Sequence, residues 1–79
     1  MKNIKIGQLT EKICLKIKLE RMKRNLSQEQ LAEMADLSRN SIGKIERAEV
    51  SPTIESLEKI ANAFNMDFAQ LIDISKVEL

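Results

Sequence analysis

Apolar residues recur along most of this chain three and four positions apart, the spacing that places side chains on one face of an α-helix. Ile13 and Ile17 mark a first helix that runs from a Thr10 cap to about Arg24, with Asn25 suited to its end. Leu15, Leu19 and Met22 add a second stripe, so this helix is expected to meet the last helix or a partner chain as well as the core. Leu31, Ala32 and Ala35 form the inner face of a second helix, Gln28–Ala35, which Ser27 caps with Gln30 reaching back. Asp36 and Leu37 leave room only for a tight corner before Ser38 caps a third helix, Arg39–Arg47, with Ile42 and Ile45 inward. Pro52 and Thr53 introduce a fourth helix with Leu57, Ile60, Ala61 and Phe64 inward, ended by Asn65. Asp67 caps a short fifth with Phe68, Leu71 and Ile72 inward.

The two ends follow another period. Asn3-Ile4-Lys5-Ile6 and Ile72-Asp73-Ile74-Ser75 alternate apolar with polar residues, as half-buried strands do. Segments this short need pairing, with one another or across a dimer. The expected fold is therefore all-α, five helices around one core, with short extended segments at the termini.

Composition narrows the function more than the fold. A chain of 79 residues holds one small core and no separate sensor domain. Two Gly and one Pro argue against long loops or a Greek-key sheet, and 43% hydrophobic with 32% charged residues is ordinary for a soluble helical domain. Cys14 is the one cysteine and there is no histidine, so neither an internal disulfide nor a metal site is expected, and Cys14 reads as a small core residue. The sequence has no His, no Gly-rich phosphate loop and no Ser nucleophile motif, which predicts no catalysis and no cofactor. Acid pairs such as Glu55 and Glu58 read as solvated. With no apolar run of about 18 residues and no hydrophobic leader, a cytoplasmic protein without membrane contact is expected.

The net charge of +1 hides an asymmetry. Residues 1–24 carry eight Lys or Arg against two acids, residues 25–48 three against four, and residues 49–79 two against six. A basic first third can lie along phosphates while the acidic end faces away. Equally, Lys12, Lys16, Lys18, Lys23 and Arg24 can be the wet side of the first helix.

The third helix carries the candidate chemistry. At about 100° per residue, Arg39, Asn40, Gly43, Lys44 and Arg47 fall opposite Ile42 and Ile45, and no acid is among them. Arg pairs bidentately with guanine and Asn with adenine in the major groove, so this face has the groups for reading base edges; a merely solvated face is the plain alternative. Gly43 is mid-helix, where glycine costs about 0.5–1 kcal/mol relative to alanine. It either permits close approach to DNA or is a tolerated surface residue.

Three segments, L-S-Q-E-Q-L-A at 26–32, L-S-R-N-S-I-G-K-I-E-R at 37–47 and S-P-T-I-E-S-L-E-K-I-A at 51–61, together resemble the Cro and phage-repressor type of helix-turn-helix regulators, the XRE-like family. The resemblance covers roughly residues 12–72. It implies five helices, with Gln28–Ala35 and Arg39–Arg47 as the paired unit and the latter as recognition helix. It further implies that Gln28 sits beside the DNA backbone and that Arg21 and Glu46 form a structural ion pair. Asn25, Asp36 and Ala48 stand where family members commonly carry glycine; Asn and Asp accept positive φ at modest cost, Ala less readily. The loop Glu49-Val50-Ser51 is acidic where many relatives are basic, which argues against an arm reaching DNA from there.

These readings predict a sequence-specific regulator of transcription, a repressor or autoregulator that binds a near-palindromic operator on double-stranded DNA as a homodimer. Ser38, Arg39, Asn40, Ser41 and Lys44 are the base-reading candidates, and Gln28, Arg47, Lys23 and Arg24 the phosphate candidates. The chain divides into a 1–9 extension, a 10–72 helix-turn-helix DNA-binding domain and a 73–79 tail read as dimerising. The alternative is an antitoxin-like or accessory interaction module whose partner is a toxin or a larger regulator. Glu29 and Glu33, on the outer side of the second helix, would offer an acidic patch to RNA polymerase if binding activates.

Overall fold

Three hydroxyl groups start three of the helices in the computed structural model, which describes residues 7–77. Ser27 Oγ accepts the Gln30 N–H at 2.9 Å, Ser38 Oγ the Ser41 N–H at 3.0 Å and Thr53 Oγ1 the Ser56 N–H at 3.0 Å, each satisfying an amide that the first helical turn leaves open. Gln30 returns the bond to the Ser27 N–H at 2.8 Å, and Gln70 does the same for the Asp67 N–H at 2.8 Å. The helices are α1 (Gln8–Lys23), α2 (Gln28–Met34), α3 (Arg39–Glu46), α4 (Ile54–Ala63) and α5 (Phe68–Ile72), with no strand among the described residues.

Thr10 is not the cap of α1. The helix starts at Gly7, whose carbonyl accepts the Glu11 N–H at 2.9 Å, and Thr10 lies inside the first turn. Gly7 has φ +96°, a conformation open to glycine and strained for other residues, so the backbone rather than a hydroxyl sets this start.

Four helices end in one way. Asn25, Asp36, Ala48 and Asn65 take φ between +55° and +57°, and the next residue's N–H returns to a carbonyl five positions back: Leu26 to Arg21, Leu37 to Ala32, Glu49 to Lys44 and Met66 to Ala61. Ala48 therefore adopts the same left-handed conformation as its Asn and Asp counterparts, although its β-carbon makes that costly. Ala48→Gly is expected to raise unfolding free energy by about 0.5–1 kcal/mol, after the larger chain entropy of glycine is set against the relieved strain. A urea midpoint that falls instead would show that the Ala48 methyl contributes packing.

The core draws on every helix. Cys14 and Ile17 of α1, Leu31 and Ala32 of α2 with Ala35 just beyond it, Ile42 and Ile45 of α3, Leu57, Ile60 and Ala61 of α4 with Phe64 at its end, and Leu71 of α5 are buried. Ile13, Phe68 and Ile72 pack against this cluster while only partly buried. The second stripe of α1 is not core: Leu19 and Met22 are about half exposed.

The tail after α5 does not form a strand. Ile72 closes α5, the Val77 N–H turns back to the Ile74 carbonyl at 3.0 Å, and the Lys16 ammonium donates to the carbonyls of Gln70 and Asp73. The alternation at 72–75 thus reflects a helix end followed by a turn tied to α1, whose cation takes up carbonyls that the last turn leaves open. The alternating segment Asn3–Ile6 lies outside the described residues.

Candidate nucleic-acid interface

Asp36 turns the chain so tightly that α2 and α3 pack against each other, with Leu31, Ala32, Ile42 and Ile45 buried in the same core. What locks the orientation of α3 is a buried carboxylate. Glu46 is almost fully covered and accepts from Arg21 Nε at 2.7 Å, Arg21 Nη2 at 3.0 Å and Gln28 Nε2 at 3.1 Å. Arg21 Nη1 also donates to the Leu26 carbonyl at 2.7 Å. One acid on α3 is thereby tied to α1 and to the first residue of α2, and no donor or acceptor on a side chain is buried without a partner among the described residues.

On the outer side of α3, Arg39, Asn40 and Lys44 are exposed, and neither Arg39 nor Lys44 enters an ion pair among the described residues. Ser38 Oγ is already engaged: it accepts the Ser41 N–H and donates to Ser41 Oγ at 2.9 Å, which leaves the Ser41 hydroxyl proton free to point outward. Gly43, placed by periodicity on the exposed side, is buried. It faces outward but is roofed by two long side chains: a β-carbon there would lie 3.1 Å from Arg47 Nη1 and 3.7 Å from Gln28 Oε1. The glycine lets that guanidinium and amide lie close against the helix. Because the nearer atom is the tip of a flexible, exposed side chain, Gly43→Ala is expected to displace Arg47 and still stabilise the fold by about 0.5–1 kcal/mol. A loss of thermal stability would show that the Gln28–Arg47 roof is rigid.

The phosphate candidates separate. Gln28 lies at the α2 start with its amide nitrogen on Glu46, and Arg47 lies at the α3 end. The Arg47 guanidinium is held by Glu49, with Nε 2.6 Å from Oε2 and Nη2 3.4 Å from Oε1, and both residues are exposed. The hydrogen bond from Arg47, with its charge and that of Lys44, keeps the Glu49 carboxyl below the usual carboxylate range. Lys23 is exposed, 3.5 Å from Glu20. Arg24 is committed elsewhere: its guanidinium pairs with Glu20, donates to the Phe64 carbonyl at 3.2 Å and stacks 4.6 Å from the centre of the Phe64 ring, joining α1 to the end of α4. Burial would raise the Glu20 carboxyl, but Arg24 and Lys23 outweigh it and hold it low.

Periodicity missed two of these features, the Arg47–Glu49 pair and the roof over Gly43. The first has a local trace, an acid just past the C-terminal end of a helix, where negative charge is disfavoured. The second has none.

A tight corner between two capped helices, the second outward-facing with Arg, Asn and Lys, defines a helix-turn-helix protein. The helix-turn-helix family HTH_3 matches residues 17–71, and the chain belongs to that family. The chain is 39% identical over 57 residues to the immunity repressor protein of Bacillus phage phi105, covering 72% of this chain and 40% of that protein. It is 46% identical over 48 residues to the control protein C.SmaI of Serratia marcescens, covering 61% of this chain and 57% of that one. Thus it spans only about half the length of the curated relatives it matches. Among solved structures, the restriction-modification controller protein C.AhdI from Aeromonas hydrophila superposes with a TM-score of 0.74 at 28% identity, over 80% of this chain and 94% of that chain. The resemblance drawn from the three sequence motifs and the five-helix all-α fold both hold. Among the described residues no helix is long and apolar enough to cross a membrane.

Proposed function

We propose that this chain is a sequence-specific regulator of transcription that binds double-stranded DNA, repressing or autoregulating from a near-palindromic operator as a homodimer. The observation that carries the reading is the outer face of α3: Arg39, Asn40 and Lys44 are exposed, and neither cation is in an ion pair among the described residues, on a short helix whose orientation a buried ion pair fixes. Recognition through base edges needs such a face, because the donors must be free of internal partners and held to within an ångström or so by a rigid support. Ser41 adds a hydroxyl at shorter range, while Ser38 serves mainly as the cap of α3. Gln28, Arg47 and Lys23 are assigned to phosphates, where they set affinity and register without choosing sequence. The relatives, an immunity repressor and a control protein, support the same reading.

The test is selection of bound duplexes from random DNA, followed by affinity measurements across a salt series. The expected product is an inverted repeat with half-site centres about one helical turn, roughly 34 Å, apart. Binding should weaken linearly in log–log coordinates as salt rises. If no sequence is enriched and no salt-sensitive binding is found, the interface on α3 serves something other than DNA, and the interaction-module reading takes its place.

A further inference from the structure

The end of α3 breaks a pattern that the other three left-handed helix ends share. After Asn25, Asp36 and Asn65 comes an apolar residue, Leu26, Leu37 and Met66, each packed against the core. After Ala48 comes Glu49, exposed, with its backbone making the same return bond to Lys44 at 2.9 Å. Folding does not account for a carboxylate here: the position favours an apolar contact with the helix, and the partial charge at a helix C-terminus is negative. What Glu49 does instead is hold Arg47 through two hydrogen bonds, with that guanidinium lying against Gly43 on the outward face of α3.

We propose that Glu49 is an affinity-setting residue that acts through Arg47: in the free protein its carboxylate occupies the guanidinium, and DNA phosphate must displace it before Arg47 can contribute. The inference rests on the DNA-binding reading above. An exposed ion pair contributes only about 0–1 kcal/mol, so a phosphate can take the guanidinium over, bringing a bidentate, charge-assisted contact of its own. The cost of giving up that pair lowers affinity for every sequence alike, because phosphate contacts carry no base information. Glu49 therefore works as a brake that keeps occupancy of non-operator DNA low, leaving the choice of site to Arg39, Asn40 and Lys44.

The experiment measures binding of a selected operator duplex and a random duplex by fluorescence anisotropy over a salt series, for the parent chain, Glu49→Gln, Arg47→Ala and the double variant. Glu49→Gln is expected to tighten both duplexes equally, by about three- to fivefold, with a salt slope close to the parent's, since Arg47 reaches phosphate in both complexes. In the Arg47→Ala background the same substitution should change affinity less than about twofold, which separates action through Arg47 from general repulsion. Thermal melting should shift little, because loss of the ion pair is offset by removing a negative charge from a helix C-terminus. The proposal is overturned if Glu49→Gln leaves affinity unaltered, if its gain persists without Arg47, or if the gain is confined to the operator. A parent chain that binds neither duplex removes the DNA-binding reading itself, and this inference with it.

Discussion

Arg21→Met is expected to cost about 3–5 kcal/mol of folding free energy, the penalty for leaving a buried carboxylate without its cation. Glu46 accepts two bonds from Arg21 and one from Gln28 and has almost no access to water that could replace them. A domain of this size has about 0.05–0.15 kcal/mol of stability per residue, roughly 4–12 kcal/mol in all, so the single variant should lose a large share of its stability. Arg21→Met combined with Glu46→Leu should recover most of the loss, because an apolar pair of similar volume removes the charge along with its partner. Urea denaturation of the parent, both single variants and the double variant gives the coupling directly. If Arg21→Met costs less than about 1 kcal/mol, the carboxylate is better hydrated than its enclosure indicates. Because the same carboxylate holds Gln28, the double variant is expected to regain stability while losing DNA affinity.

The second large effect is on recognition. Arg39→Ala should weaken operator binding by about 1–3 kcal/mol and relax preference at one base position, as loss of a bidentate Arg–guanine contact does. Arg39 is exposed, follows the Ser38 cap and enters no ion pair within the described residues, so its removal should leave stability nearly untouched. Arg47→Ala differs in kind: it should weaken all sequences alike and flatten the salt dependence. Selections run in parallel on the parent and Arg39→Ala decide the matter. An unchanged preference with unchanged affinity would show that α3 enters the groove in another register.

Much of this architecture is written in bonds that span three or four residues. Ser27 with Gln30, Ser38 with Ser41 and Thr53 with Ser56 are local pairs, so the hydroxyl caps, and with them the starts of α2, α3 and α4, are legible from residue type and spacing. Helical periodicity likewise identifies the inward faces of α2, α3 and α4, because a period of 3.6 residues is a property of the backbone and not of its surroundings. The reading slips where backbone geometry replaces side-chain chemistry, as at Gly7, which opens α1 ahead of the Thr10 hydroxyl. It slips also at the tail, where a helix end and a turn imitate the alternation of a strand.

The outward face of α3 shows the division within one surface. Sequence alone determined that Arg39, Asn40 and Lys44 point away from Ile42 and Ile45, since that follows from angle along a single helix. Only the tertiary structure decided that Gly43 is roofed by Gln28 from another helix, and that Arg24 is drawn to Phe64, 40 residues away. Only it decided that Lys16 closes the end of α5, 54 residues on. Those outcomes depend on how the core seats one helix against another. A long, flexible side chain such as arginine or lysine then takes whichever acceptor that packing brings within reach.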